Sequence, residues 1–271
     1  MAAVNSAITQ LFDWLLAPFT ASPWLALTVI SLLTGGVLLL VFRYTSNQRG
    51  IRQAKSQIVA GLLEVLLYRD EMRVVLRAQA RLALDNLRYL GHALVPLAFM
   101  IVPVGFLLVQ TDLRYGHRPL REGETTIVAL TVAPGVDLEQ VSLSTGPEII
   151  VETESLRIPA LHEVDWRVRA AGAGQHELRF QVGNAELVKH IVVGNWQGRV
   201  SSARVDGGIK AQFLHPGEPA IPAGVPVQEA TVSYPSAEMH LFGWRMHWVW
   251  PWLIISMAFG YALKGPLRVQ V

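Results

Sequence analysis

Four arginines spaced four residues apart are the charged groups whose pattern most directly suggests a binding surface: Arg69, Arg73, Arg77 and Arg81. Residues four apart share one face of an α-helix, so this spacing predicts a stripe of guanidinium groups. A partner carrying carboxylate or phosphate, such as a nascent chain or a ribosome, would suit it. The alternative is a solvated face beside anionic lipid headgroups. No aromatic residues interleave to stack on bases, so we expect no sequence-specific nucleic acid.

Residue types for covalent or metal chemistry occur without the spacing that such chemistry needs. Glu152 with Glu154, and Glu163 with Asp165, are carboxylate pairs at strand spacing. Each pair should share one face of a strand, and we interpret both as exposed decoration rather than as acid–base pairs. The chain has no cysteine, its histidines lack metal-ligand spacing, and no phosphate loop or nucleophile elbow occurs. We therefore expect no enzyme, no metal and no cofactor.

The composition indicates a membrane protein. Of 271 residues, 51% are hydrophobic and only 16% are charged, whereas about a quarter of the residues of a typical soluble domain are charged. The apolar excess lies in residues 24–42, 89–111 and 246–263, and at about 1.5 Å per helical residue each can cross a bilayer. Four tryptophans near the third stretch are expected to be interfacial anchors: Trp244, Trp248, Trp250 and Trp252.

The distribution of charge predicts the orientation of these three spans. Residues 43–90 hold nine Arg or Lys against four Asp or Glu, and residues 112–245 hold twelve against sixteen. Arginine-rich short loops stay in the cytoplasm, so the N-terminus and residues 112–245 should be outside. The segment 43–88 and the tail 264–271 should be inside. We interpret the chain as an integral protein of the bacterial inner membrane.

Two segments beside the first span show helical periodicity. Residues 1–23 are predicted to form an amphipathic helix along the outer interface, with disorder as the alternative. Residues 43–88 are predicted to form a basic helical hairpin, with helices over 50–67 and 74–87 joined by a tight turn.

Residues 112–245 show the alternating pattern of antiparallel strands, with Gly and Pro turns between them. The spacing predicts an inserted all-β sandwich of immunoglobulin-like type. Residues 195–238 form a Pro/Gly-rich strap, with a last strand over 228–234 that closes the sheet. The other predicted strands cover residues 126–132, 148–151, 166–169, 177–182 and 187–193.

A proline-rich motif in the second predicted span carries a resemblance to a known family. Pro96 lies near its cytoplasmic end, and Met100 shortly precedes Pro103. Together with the basic exit of the first span at Arg43 and Tyr44 and the cytoplasmic hairpin, this motif resembles the YidC/Oxa insertase superfamily. Three spans with the N-terminus outside look most like its reduced branch, to which the insertase subunit of the endoplasmic-reticulum membrane complex belongs.

The resemblance implies a non-covalent insertase or insertion chaperone, in which a shallow groove between the spans thins the bilayer for a polar segment. The arginine stripe would receive nascent membrane proteins, and membrane lipids and other membrane subunits are further expected partners. For the hydroxyl residues of the first span, helix packing through small residues beside Gly35 and Gly36 is the alternative. The groove residues that the resemblance implies are Thr28, Ser31, Thr34, Pro96, Pro103 and Gln110.

The competing interpretation is an adaptor or complex subunit that displays the β domain outside the membrane. A single span would suffice for an anchor, so three spans with a hairpin favour a task in the membrane. A membrane-embedded hydrolase would need ionisable residues inside the bilayer. Apart from Tyr89 and Tyr261, the titratable residues of the three spans are only His92 and His247.

Overall fold

The computed structural model describes residues 2–19, 22–68, 70–195, 198–241, 243–267 and 269. The chain is a mixed helical and β protein. Arg69 of the predicted stripe and Arg268 of the tail lie outside the described residues. The helices are α1 (Ala2–Leu16), α2 (Pro23–Thr45), α3 (Gln48–Leu67), α4 (Met72–Tyr115), α5 (Ile209–Leu214) and α6 (Val249–Leu263).

The predicted N-terminal helix is confirmed. It forms α1, which continues into a 3-10 turn at Ala17–Phe19. Its buried residues include Thr9 and Leu16, whereas Leu11 and Trp14 are 59% and 75% exposed. The described exposed residues of α1 thus include two large apolar side chains beside Gln10.

The predicted hairpin is also a helical pair, but its second helix does not stop. Asn47 caps α3, its side chain accepting a hydrogen bond of 3.0 Å from the Gly50 amide. The sequence predicts a helix over 74–87 followed by a separate span, whereas α4 runs through both as one helix of 44 residues. Nothing around Arg88 breaks a helix, and Pro96 and Pro103 lie inside α4.

Two helices, α2 and α4, are long and apolar enough to cross a membrane by length and composition. The third predicted span, residues 246–263, is shorter as a helix because α6 begins only at Val249. The residues before it pair as a β-hairpin, Met239–Leu241 with Trp244–Met246, around Gly243 at a φ of 84°. This local pairing shortens the helix to 15 residues.

The strand predictions hold for the longer strands. The turn at Gly183 and Asn184 joins two strands whose last pair is Val182 with Ala185, and Gly183 has a φ of 56°. The strands are β1 (Thr125–Val132), β2 (Val141–Thr145), β3 (Ile149–Val151), β4 (Leu156–Ile158), β5 (Glu163–Ala170), β6 (Gly174–Val182), β7 (Ala185–Val193), β8 (Ala203–Val205), β9 (Val227–Val232), β10 (Met239–Leu241) and β11 (Trp244–Met246).

The strands form two main antiparallel sheets around one core. The larger has the order β3-β5-β1-β9-β8, with β4 also pairing with β5, and the smaller has the order β2-β6-β7. Alternate residues of both sheets are buried in a common hydrophobic cluster, and the rings of Trp166 and Phe180 lie 5.7 Å apart across it. The last predicted strand, β9, lies inside the larger sheet because β8 takes the edge.

The strap carries a helix and an internal anchor that the sequence pattern did not predict. Its segment Ile209–Leu214 is α5. The fully buried Lys189 donates hydrogen bonds to Glu218 Oε1 at 2.6 Å and to the Ser201 carbonyl at 3.2 Å. Burial lowers the pKa of Lys189, and the Glu218 carboxylate opposes that shift. The pair fastens the strap to β7.

The chain divides into two compact units. The first, the β unit, combines Met1–Ala26 with Leu108–Trp248. The second, the helical unit, combines Leu27–Leu107 with Val249–Val271. Thus α1 belongs with the β-sheets, whereas the hairpin and most of the apolar helices belong together.

We predict that a fragment covering residues 117–236 folds without the rest of the chain, because the hydrophobic core cluster runs from Leu120 to Tyr234. It should give a β-type circular dichroism spectrum and a cooperative thermal transition. A fragment with Trp166→Ala is the matched control. It should melt at a lower temperature, because the substitution should cost about 3–5 kcal/mol of stability. A non-cooperative melt of the unmodified fragment would show that the core depends on other residues.

Candidate functional site

The described arginines of the predicted stripe form an exposed surface on the first turns of α4. Arg73, Arg77 and Arg81 are all exposed. The nearest carboxylate reported for them is Glu64 on α3, whose Oε2 lies 3.8 Å from Arg81 Nη1. At that distance and exposure the ion pair contributes little to stability. The three charges therefore face solvent, as either sequence interpretation of the stripe requires.

Beside the arginines, the connection between α3 and α4 exposes large apolar side chains. The helices meet through small residues: Ala78 is fully buried, and a Cβ at Gly61 would lie 2.9 Å from Leu82. This close contact leaves the longer side chains outside. We call the following residues, which are more than half exposed, the hairpin tip: Leu62, Leu63, Leu66, Leu67, Met72 and Leu76.

The hydroxyl residues of α2 are packed against α6. Ser31 and Thr34 are fully buried, and their hydroxyls donate to the Leu27 and Ile30 carbonyls of their own helix at 2.7 Å. Trp252 of α6 donates its indole N–H to Thr34 Oγ1 at 3.3 Å. These contacts are the ones that the helix-packing alternative predicts.

Gly35 allows this approach of the two helices. A Cβ at Gly35 would lie 2.4 Å from the Ser256 carbonyl oxygen and 3.2 Å from the Gly260 amide nitrogen. At Gly36 the nearest atom would be a Phe259 ring carbon at 3.9 Å, which is an ordinary contact. The backbone contact between α2 and α6 therefore depends on one glycine of the pair.

The remaining predicted groove residues do not all lie in one unit. Thr28 is half-buried on α2, Pro96 is buried and Pro103 half-buried on α4, and all three belong to the helical unit. Gln110 belongs to the β unit. It is 1% exposed and donates from Nε2 to Thr9 Oγ1 of α1 at 2.8 Å.

A buried arginine next to Gln110 escaped the sequence analysis. The side chain of Arg114 is 8% exposed and forms an ion pair with Asp13. It also donates to the carbonyl and side-chain oxygens of Gln110 at 2.8 and 3.0 Å and to the Thr9 carbonyl at 3.3 Å. Arg114 lies just beyond the predicted span, and Asp13 is the only charge before the first span. The isolated acidic charge of Asp13 was the available signal.

Around this cluster the β unit contains a cleft of about 630 Å³, which we call the arginine cleft. Its lining includes three arginines, of which Arg118 is held by Glu124 through two hydrogen bonds of 2.8 Å. The hydrogen bonds from Arg118 lower the pKa of Glu124 to about 2. Asp13 also lies 3.5 Å from Arg199. The charges of the cleft are thus largely paired.

Of the two predicted carboxylate pairs, Glu163 and Asp165 share one face of β5, where both are half-buried. Glu152 and Glu154 follow β3, which ends at Val151, so the prediction that they share one face of a strand is wrong. Glu152 approaches Arg167 and Arg169 at 3.6 and 3.0 Å. Burial, and then repulsion from Asp165, raises the pKa of Glu163. Among the described residues, no group of three or more His, Asp or Glu is arranged to hold a metal ion.

The comparisons with known proteins give no relative. No family model matches the chain, and neither the curated proteins nor the solved structures contain a match.

We predict that Gly35→Ala and Gly36→Ala have different effects on the stability of the helical unit. The first substitution forces two backbones apart and should destabilise the helical unit by about 1–3 kcal/mol. The second adds a methyl group in open space and should be neutral or slightly stabilising, because alanine is the better helix former. Thermal unfolding of the detergent-solubilised protein, followed by helical circular dichroism, measures both. Equal effects would contradict the close α2–α6 contact.

Proposed function

We propose that α2, α4 and α6 cross the bacterial inner membrane, with the N-terminus and β unit outside and the hairpin and C-terminus in the cytoplasm. The charge distribution supports this orientation. All three helices also leave large apolar side chains exposed, as lipid-facing helices do: Val37 is 43%, Phe99 62% and Ile254 63% exposed. In the same arrangement, the apolar side of α1 lies against the outer interface, where the exposed Trp14 is an anchor.

We propose further that the two sheets of the β unit form an immunoglobulin-like sandwich. Their antiparallel pairing and their shared core between facing sheets support this assignment.

The function that the geometry supports best is a non-covalent insertase or insertion chaperone of YidC/Oxa type. The observation that carries it is the length of α6. Its 15 residues extend about 22 Å, whereas the hydrocarbon core measures about 30 Å. A helix this short thins the bilayer around it. A polar segment then crosses a thinner apolar layer, which lowers the several kcal/mol that such a transfer costs.

The hairpin supports reception of a client in the cytoplasm. Residues 72–88 of α4 precede the proposed span and extend about 25 Å from it as one continuous helix. The hairpin tip then lies in water, away from the headgroups, with its leucines and the arginines on adjacent surface. An apolar polypeptide with acidic flanking residues would match both the leucines and the arginines. Because α4 is continuous, it would connect this binding surface directly to the span.

A second candidate function is an adaptor whose β unit binds a partner outside the membrane. A group of exposed apolar side chains on the larger sheet and its edge favours it: Ile127 and Ile150 are 41% exposed and Leu156 is 61% exposed. These residues lie near Arg167 and Arg169, which pair with Ile127 and Ile150 across the strands.

The orientation predicts opposite labelling of two introduced cysteines. The wild-type chain contains none, and Gln79 and Asn184 are both exposed. In intact spheroplasts a membrane-impermeant thiol reagent should label Asn184→Cys and leave Gln79→Cys unmodified. Both should react after the membrane is opened with detergent, which controls for reactivity. Labelling of residue 79 in intact cells would overturn the topology.

The insertase proposal predicts that replacing Arg73, Arg77 and Arg81 by glutamine impairs insertion of short membrane proteins with translocated tails. Stability should stay nearly unchanged, because exposed helical arginines contribute only tenths of a kcal/mol each. The readout is protease protection of the tails in a depletion strain that expresses each variant.

The matched control removes the same charge from the β unit through Arg167→Gln, Arg169→Gln and Arg179→Gln. It should leave insertion normal. If the control set impairs partner binding while insertion survives both the hairpin variant and complete depletion, the adaptor function is correct and the insertase proposal fails.

A further inference from the structure

We propose that the arginine cleft binds the headgroup of a phospholipid that carries a primary amine, of the phosphatidylethanolamine type. The inference rests on the proposed membrane placement of the chain and not on insertase activity.

The lining of the cleft combines apolar and charged side chains. Many of its apolar side chains come from the end of α1 and the start of α2, including Leu16, Phe19 and Pro23. Its ionic side chains come from α1, from the end of α4 and from loops, including Arg199 and Glu238. A cavity lined by both apolar and ionic side chains suits an amphiphile. Its volume of about 630 Å³ lies within the range of about 300–1,000 Å³ for small-molecule sites.

The position of the cleft along the chain agrees with a lipid ligand. The lining includes Pro23, the first residue of α2, and Tyr115, the last residue of α4. If these helices cross the membrane, those ends lie at the level of the outer headgroups, where phosphate and amine groups are concentrated.

The charged groups of the cleft include both signs, which suits a zwitterion. Arg118 is paired with Glu124 through two hydrogen bonds of 2.8 Å. The other charged residues of the described lining are Arg114, Arg199, Asp13 and Glu238, and Glu238 lies 3.8 Å from Arg245 outside the lining.

Two accessible groups offer complementary contacts. The side chain of Arg199 is 41% exposed, and a guanidinium suits a phosphate. The side chain of Glu238 is 51% exposed, and its nearest reported cation, Arg245, is 3.8 Å away. A carboxylate can accept hydrogen bonds from a primary ammonium but not from a quaternary one, so the amine should be unmethylated.

The test reconstitutes the full chain in vesicles containing equal amounts of phosphatidylethanolamine, phosphatidylcholine and phosphatidylglycerol, extracts it in mild detergent and counts retained lipids by native mass spectrometry. Phosphatidylethanolamine should be retained in preference to the other two. Arg199→Gln and Glu238→Gln should each reduce its retention several-fold. Ala237→Phe, which fills the cleft without changing a charge, should do the same.

The control variants Arg179→Gln and Glu186→Gln alter an exposed pair outside the cleft, 3.6 Å apart, and should retain wild-type lipid. Preferential retention of phosphatidylglycerol, equal retention of all three lipids, or retention that survives all three cleft variants would each overturn the proposal. Client insertion is not part of the readout, so a failure here leaves the insertase proposal standing. Loss of insertion in the hairpin variant, conversely, does not affect the lipid result.

Discussion

The buried guanidinium of Arg114 constrains how α1 packs against the end of α4 in the β unit. A charge with 8% exposure is tolerated only if it is paired and its donors are satisfied, since an isolated buried charge costs several kcal/mol. Asp13 supplies the opposite charge, and oxygens of Thr9 and Gln110 accept hydrogen bonds from the guanidinium. Helix α1 must therefore present its polar residues to α4. Its apolar residues Leu11 and Trp14 are then left outside, which is the orientation that an interfacial helix needs.

The same pairing defines the arginine cleft. With Asp13 directed at Arg114, the end of α1 and the 3-10 turn stand beside the loop that carries Arg199. The chain between α1 and α2 thus supplies much of the apolar lining of the cleft, while Asp13 of α1, Arg114 of α4 and the loops supply its ionic groups. Loss of the Arg114–Asp13 ion pair would detach α1 and the apolar lining beside it before any strand, because α1 contributes no strand to either sheet.

The sequence predicted those helices and strands that are determined by residues close together in the chain. An uncharged run located α2, helical periodicity located α3, and alternation located the long strands β1, β5, β6 and β7. Strands of three residues, such as Ala203–Val205, are too short to show a period and form only because β9 offers a partner. The sequence did not predict that α4 is continuous, because the apolar span was taken to begin at Tyr89 as a helix separate from the hairpin. The burial of Arg114 depends on contacts with residues about a hundred positions away, which no local pattern contains.

The polar groups of the apolar helices bear on how the proposed insertase would work. Ser31 and Thr34 already bond to carbonyls of their own helix, and Gln110 bonds to Thr9 and Arg114. A polar segment could accept a hydrogen bond from the Ser31 or Thr34 hydroxyl only if the existing bond to the helix were broken, at about 1–3 kcal/mol for each buried group left unsatisfied. The prolines of α4 offer another source, because Pro96 and Pro103 have no N–H to donate to the carbonyls of His92 and Phe99.

Those two carbonyls lack the donor four residues on that other helical carbonyls have, and Phe99 lies on an exposed part of α4. They can receive a donor from a passing segment without a bond being broken first. Two acceptors offset only part of the cost of dehydrating a charged or strongly polar segment. The larger contribution must then come from the length of apolar layer to be crossed. In the proposed insertase that length would be set by α6, which packs against α2 at Gly35.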